Sequence, residues 1–147
     1  MIAVDTNILV YAHRRDSEWH EPAASCIREL AESPGSWALP WPCLHEFLAI
    51  VTHERIYSPA TTASRALEQV NAWLESPGLV LLSETAGYWQ VFTHVVERSK
   101  IAGPRIHDAR IAALCLHHGV RELLSADRDL SRFGELKIRN PLLSGSA

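Results

Sequence analysis

Four acidic residues, Asp5, Glu46, Asp108 and Asp127, stand beside apolar, core-forming stretches of this 147-residue chain. Asp5 ends the short run Ile2-Ala3-Val4, and Asp127 follows Glu122-Leu123-Leu124-Ser125; both runs read as buried parallel strands. Glu46 is set among Leu44, Phe47, Leu48 and Ile50. Asp108 opens a stretch holding Ile111, Ala112, Ala113, Leu114 and Leu116. Carboxylates are costly to remove from water unless they are paired or bound to metal. Brought together, these four repel one another, and a divalent cation is the natural compensation. An all-oxygen donor set selects Mg²⁺ or Mn²⁺ over zinc, and such a cation can activate a water without a side-chain nucleophile.

Taken singly, each acid also has an ordinary structural explanation. Asp5 with Thr6 and Asn7 offers a strand-to-helix cap, and Asp127 with Asp129 offers caps for the turn Ser125–Asp129. Glu46 and Asp108 fit as first-turn helix acids. What points to a site is the ordered set, because two of its members follow strands, where α/β sheets gather their ligands.

The elements that must position them alternate. After the first strand, a helix is expected over Ile8–Ala12 and another over Trp19–Ala31. The turn Ser33–Ser36 leads to a strand Trp37–Pro40 and a helix from Pro42 that carries Glu46. A helix from Pro59 or Thr61 to Leu74 is stopped by Ser76-Pro77-Gly78, and Leu79–Leu82 is the third strand. Helices Ala86–Lys100 and Ile106–His117 follow, with Gly119 as a C-cap. Glu122–Ser125 is the fourth strand and Leu136–Ile138 a fifth at the edge. The pattern predicts an α/β fold of three layers, α/β/α, around a mainly parallel sheet of about five strands, in a single domain spanning 1–147.

Net charge is −3, but residues 1–97 carry five Arg against twelve Asp/Glu, while residues 98–147 carry nine Arg/Lys against five. Guanidinium groups fork onto phosphates, which makes Arg105, Arg110, Arg128 and Arg132, all near the acidic motifs, candidates for nucleic-acid contact; ion pairs with neighbouring acids are the competing explanation. Cys26, Cys43 and Cys115 include no CxxC pair, which argues against a disulfide framework and suits a reducing, cytoplasmic setting. No basic leader opens the chain, and no apolar run is long enough to cross a membrane. Seven of the eight histidines show no ligand spacing; His107, beside Asp108, is the one placed to support the site. The five tryptophans read as core or interface anchors rather than stacking platforms.

A phosphatase of the haloacid dehalogenase type would need a second Asp two residues after Asp5, where Asn7 stands. A receiver-like module would place its acceptor Asp after a central strand with a later Lys, a pattern that fits neither Asp5 nor Asp127.

With Val4-Asp5-Thr6-Asn7-Ile8-Leu9 at the start, Glu46 after the second strand, His107-Asp108-Ala109 opening a late helix and Ser125-Ala126-Asp127-Arg128-Asp129 near the end, the chain resembles the PIN-domain family, and within it the VapC-type toxin ribonucleases. The resemblance covers essentially the whole chain. It implies an Mg²⁺- or Mn²⁺-dependent endoribonuclease, the toxin of a type II toxin–antitoxin pair, acting as a homodimer and held in check by a cognate VapB-type antitoxin. By position, Asp5, Glu46, Asp108 and Asp127 would bind metal, with Thr6, Asn7, Ser125 and Asp129 supporting them. Leu130 departs from the pattern, since an aromatic residue is frequent there, and Phe133 is placed to fill that space. The alternative within the family is a catalytically silent module that binds RNA or protein. The helices around Trp19 or over Thr61–Trp73 are candidate dimer or antitoxin surfaces.

Overall fold

A computed structural model describes residues 1–143; the last four residues of the expected domain lie outside the described residues. The chain runs β1 (Ile2–Val4), α1 (Thr6–His13), α2 (His20–Glu32), β2 (Trp37–Pro40), α3 (Trp41–Val51), α4 (Ala63–Leu74), β3 (Leu79–Leu82), α5 (Tyr88–Ser99), α6 (Ile106–His117), β4 (Glu122–Leu124) and β5 (Lys137–Arg139). Single 3₁₀ turns at Gly103–Arg105 and Arg128–Arg132 precede α6 and follow β4.

The strands form one sheet in the order β3-β2-β1-β4-β5, and every pairing is parallel. From β1 the chain moves outward through β2 to β3, then returns to place β4 on the other side of β1. Right-handed crossovers therefore put α1 to α4 on one face and α5 with α6 on the other. The reversal of direction lies between β1 and β4, where Ile2 is in register with Glu122 and Val4 with Leu124. Side chains just past Val4 and Leu124 must meet at that crevice.

The core explains why the elements lie so close. β2 is buried along its whole length, and Ile8, Leu9 and Val10 are all buried, so α1 is sunk between sheet and neighbours rather than laid on the surface. Phe47 of α3 meets Trp73 of α4 edge-on, ring centres 4.9 Å apart. Leu130 and Phe133 are both buried beneath the turn after β4. No helix among the described residues is long and apolar enough to cross a membrane.

Boundaries moved where local backbone chemistry intervened. α4 begins at Ala63 because the Thr62 hydroxyl accepts from the Arg65 amide. α5 begins at Tyr88 because Gly87, at φ 89°, turns the chain in from the left-handed region. Gly119, at φ 72°, does end the α6 region. Glu46 is the sixth residue of α3 and not a first-turn acid, so dipole stabilisation does not account for it.

Candidate active site

Asp5 anchors the site because the backbone leaves it no other place. Its amide completes the β1–β4 ladder, donating to the Leu124 carbonyl at 2.9 Å, and its side chain caps α1 by accepting from the Thr6 amide at 2.8 Å. The residue is buried, and the carboxylate takes two further donors: the Ser125 hydroxyl at 2.8 Å and, more weakly, the Cys43 thiol at 3.6 Å. Burial nevertheless pushes Asp5 above the ordinary carboxylate range, the hydrogen bonds from Ser125 and Thr6 pull it back, and Glu46 pushes it up again.

Ser125 is the knot of the supporting lattice. While donating to Asp5, its hydroxyl accepts from the Asn7 amide group at 3.2 Å and from the Asp127 backbone N–H at 3.0 Å. The Asn7 side-chain oxygen in turn accepts from the Ala126 N–H at 3.1 Å. These bonds tie the start of α1 to the loop after β4 across the switch point. Thr6 extends the lattice sideways, donating its hydroxyl to Glu46 at 2.7 Å. No buried polar side-chain atom among the described residues lacks a partner.

Asp127 caps its own turn, accepting from the Asp129 amide at 2.9 Å, and is half-buried. Asp108 lies in the first turn of α6, also half-buried. Its pKa is raised by burial first and by Asp127 next; Arg105 opposes this, while Glu46 and Asp129 add to it. Asp108 therefore feels three other acids, and Asp5 feels one of the same three. Hydrogen bonds thus link Asp5 to Glu46 through Thr6 and to the Asp127 backbone through Ser125, and Asp108 lies within electrostatic reach of Glu46 and Asp127.

The remaining candidates fall around the rim. Asp129 is exposed and pairs with Arg105 at 3.2 Å, bridging the turns that lead into α6 and out of β4. Arg110 is held by Glu84 at 2.7 Å, and Arg132 donates to the Asp129 carbonyl at 3.2 Å. Arg128 is exposed and forms no ion pair among the described residues. His107 points to solvent. Sequence reasoning missed Cys43, whose thiol is pushed far up by burial and by Asp5. Its signal was available: it sits three residues before Glu46, on the apolar face of the same stretch.

Among the described residues, no three acidic, thiol or imidazole side chains stand together as a ready-made cation cage. The donor chemistry nonetheless fits a hard divalent cation: carboxylate oxygens only, mutually repelling, with one flanking guanidinium among the groups that set the Asp108 charge.

A family model described as PIN domain matches residues 2–136. Ribonuclease VapC43 of Mycobacterium tuberculosis is 34% identical over 142 residues, spanning 97% of this chain and 96% of its own. Ribonuclease VapC48 of the same species is 31% identical over 137 residues, spanning 93% and 94%. Among solved structures, that of VapBC2 from Rickettsia felis, bound to a DNA fragment from their promoter, superposes with a TM-score of 0.69 at 18% identity, covering 95% of this chain and 98% of that one.

Proposed function

The chain belongs to the PIN domain family, in its VapC ribonuclease branch, and from its acidic mouth we propose that it is a divalent-metal-dependent endoribonuclease, the toxin of a toxin–antitoxin pair. The observation that carries this reading is the one-sided charge at the switch point: Asp5, just past β1, has only uncharged hydrogen-bond partners, and those partners tie it to Glu46 through Thr6 and to the Asp127 turn past β4 through Ser125. A fold gains nothing from such repulsion. A site that takes up a cation does.

Asp5, Glu46, Asp108 and Asp127 would hold Mg²⁺ or Mn²⁺, which when bound supplies charge neutralisation and Lewis acidity at a phosphodiester. The chain's own groups do the positioning. Ser125 and the Thr6 amide favour the ionised form of Asp5 and fix its plane, and the Thr6 hydroxyl holds Glu46 toward the same mouth. The nucleophile is water. Cys43 is the nearest thiol, but burial keeps it protonated, and the Ser125 hydroxyl proton is already committed to Asp5. With the 3′-oxygen as leaving group, hydrolysis by water leaves a 5′-phosphate and a 3′-hydroxyl. Arg128 and Arg132 are the phosphate contacts this reading favours. Their joint replacement by Ala flattens the salt dependence of RNA binding, with the slope falling by roughly 1 to 2; an unchanged slope removes them from the interface.

The partners follow from the same reading: RNA as substrate, a second copy of the chain, and an antitoxin of the kind found with the VapBC relatives, all in the cytoplasm. The test is incubation of antitoxin-free protein with tRNA and rRNA fragments in Mg²⁺, Mn²⁺ or EDTA. Discrete fragments bearing 5′-phosphates, formed only with metal, support it. Cleavage that survives EDTA, or none with any RNA, refutes it.

A further inference from the structure

A small cavity on the α5–α6 side of the sheet is lined by none of the four acids and carries cationic groups that the acid site leaves unused. It lies between the second half of α5, the end of α6 and the link from the turn after β4 to β5, and its volume is about 190 Å³. Its floor is apolar: Val95 and Phe133 are buried, and Leu116 is half-buried beside them. Arg98 and Arg132 stand at the rim, both exposed. Arg98 meets Glu135 through Nε at 3.4 Å, and Arg132 donates through Nε to the Asp129 carbonyl at 3.2 Å. The terminal nitrogens of both guanidiniums have no hydrogen-bond partner among the described residues. Glu135 is already engaged by His94 at 2.8 Å, and Arg132 has no ion pair among the described residues.

The walls fit the same kind of ligand. Gly134 forms one of them, and a Cβ built there would meet nothing within 4 Å, so its backbone leaves the opening clear. Ser99 forms another; its hydroxyl proton goes to the Val95 carbonyl at 2.7 Å, which leaves its lone pairs to accept. Small-ligand sites combine an apolar lining with a few placed polar groups, and those for drug-sized ligands span about 300–1,000 Å³. This one is smaller and takes a single flat ring. Guanidinium forks suit a phosphate, the apolar floor suits the ring, and Ser99 accepts from a ring N–H or amino group. A continuous set of bonds joins the cavity to the acids. Asp127 accepts from the Asp129 amide at 2.9 Å, the Asp129 carbonyl accepts from Arg132, and the Asp129 carboxylate pairs with Arg105 at 3.2 Å. Between Asp127 and Arg132 lies one 3₁₀ turn, a rise of about 10 Å.

We propose that the Arg98–Arg132 cavity is a nucleotide-binding site, separate from the acids, that seats one base and its phosphate from the RNA being cut. This rests on the ribonuclease reading and goes beyond it, giving the enzyme a hold on RNA at a distance from the scissile bond. Each guanidinium that neutralises a phosphate adds about 1 to the salt slope of binding.

The probes are 5′-AMP, adenosine and inorganic phosphate, titrated into metal-free protein and followed by calorimetry and amide NMR shifts. Without a cation the acids repel an anion, so binding there does not interfere. AMP binds at one equivalent and shifts the amides of Arg98, Ser99 and Gly134, while adenosine or phosphate alone binds at least about tenfold more weakly. Arg98→Ala weakens AMP binding by at least about tenfold. Gly134→Leu, which fills the opening and keeps the charges, does the same with an unchanged circular dichroism spectrum. With RNA and Mn²⁺, Gly134→Leu raises KM while kcat holds, and Arg98→Ala lowers the salt slope of RNA binding by about 1. No AMP binding, AMP binding unmoved by both variants, or phosphate binding as tight as AMP overturns the nucleotide site. AMP binding with RNA KM and salt slope unmoved in both variants overturns RNA as the occupant, in favour of a free nucleotide. Failure of the unmodified protein to cleave any RNA with Mg²⁺ or Mn²⁺ would instead overturn the ribonuclease reading, on which AMP binding in metal-free buffer does not depend.

Discussion

The two ends of α1 carry opposite charges under opposite terms. At its N-terminus stands Asp5, at its C-terminus Arg14, about 12 Å apart along the eight-residue helix. Both suit the helix dipole, an anion at the start and a cation at the end, and both are buried. Arg14 is fully matched: it forks onto Asp16 at 2.9 and 2.6 Å, donates to the Pro59 carbonyl at 3.0 Å and to Thr61 at 3.2 Å, and lies 4.2 Å over the Tyr57 ring. Asp5 has hydrogen bonds but no counter-charge in contact, and the charged group that acts on it is another acid, Glu46. A cavity of about 900 Å³ lies at the Arg14 end and not at the acids. Charge balance, rather than cavity size, separates the structural end from the chemical one.

The sharpest break in that comparison should come from Asp108→Asn. Cleavage falls by more than about 10²-fold, because an anionic ligand to the proposed cation is lost, while circular dichroism and cooperative unfolding persist. Arg14→Ala should do the reverse. It forfeits charge-assisted hydrogen bonds and a buried stem, costing about 2–4 kcal/mol of stability, which denaturant titration reads directly, while the activity of molecules that remain folded stays close to normal. Ser125→Ala lies between, with cleavage or metal affinity reduced by about 10- to 100-fold, as expected for a residue orienting a ligand rather than being one.

The smallest effect is one of sign. Asp108 titrates in the folded state above its ordinary value of 3.8, so the fold favours its protonated form. That stability is present below the unfolded value and lost as pH rises through the folded one. Asp108→Asn carries no such loss and raises Tm near pH 7 in metal-free buffer, with the advantage closing on acidification. Asp16, lowered by its hydrogen bond to Arg14, behaves oppositely: its contribution is present above the unfolded value and lost as pH falls through the folded one. A pH series of melting curves on Asp108→Asn and Asp16→Asn separates the two.

The acidic end was legible in the sequence, and the basic end was not. Asp5, Ser125 and Asp127 follow strands whose apolar runs announce themselves, and a parallel sheet delivers residues past its carboxyl ends to one crevice. The order of strands, with β1 beside β4, was not written in any local pattern. Asp16 stands two residues from Arg14, but the Pro59 carbonyl and the Thr61 hydroxyl that complete its partners lie some 45 residues away in a turn between α3 and α4. A helix starting near Pro42 puts Glu46 close to its first turn; β2 runs straight into α3 at Trp41, and Glu46 is its sixth residue, past that turn. Sequence alone reads Trp41, like the other tryptophans, as a core or interface anchor. Its exposure is decided by the face of α3 that Cys43, Leu44 and Phe47 bury, and that face appears only when the helix is docked.

The account turns on whether the acids take up a cation and need it. Mn²⁺ or Mg²⁺ titrated into metal-stripped protein, with Tm and RNA cleavage followed together, tests this most directly. At a concentration near 100 times Kd the cation should add about 2.7 kcal/mol of stability, restore cleavage in parallel, and do neither in Asp108→Asn. A stripped protein that cleaves RNA at full rate, or one whose melting ignores both metals, would contradict the central claim.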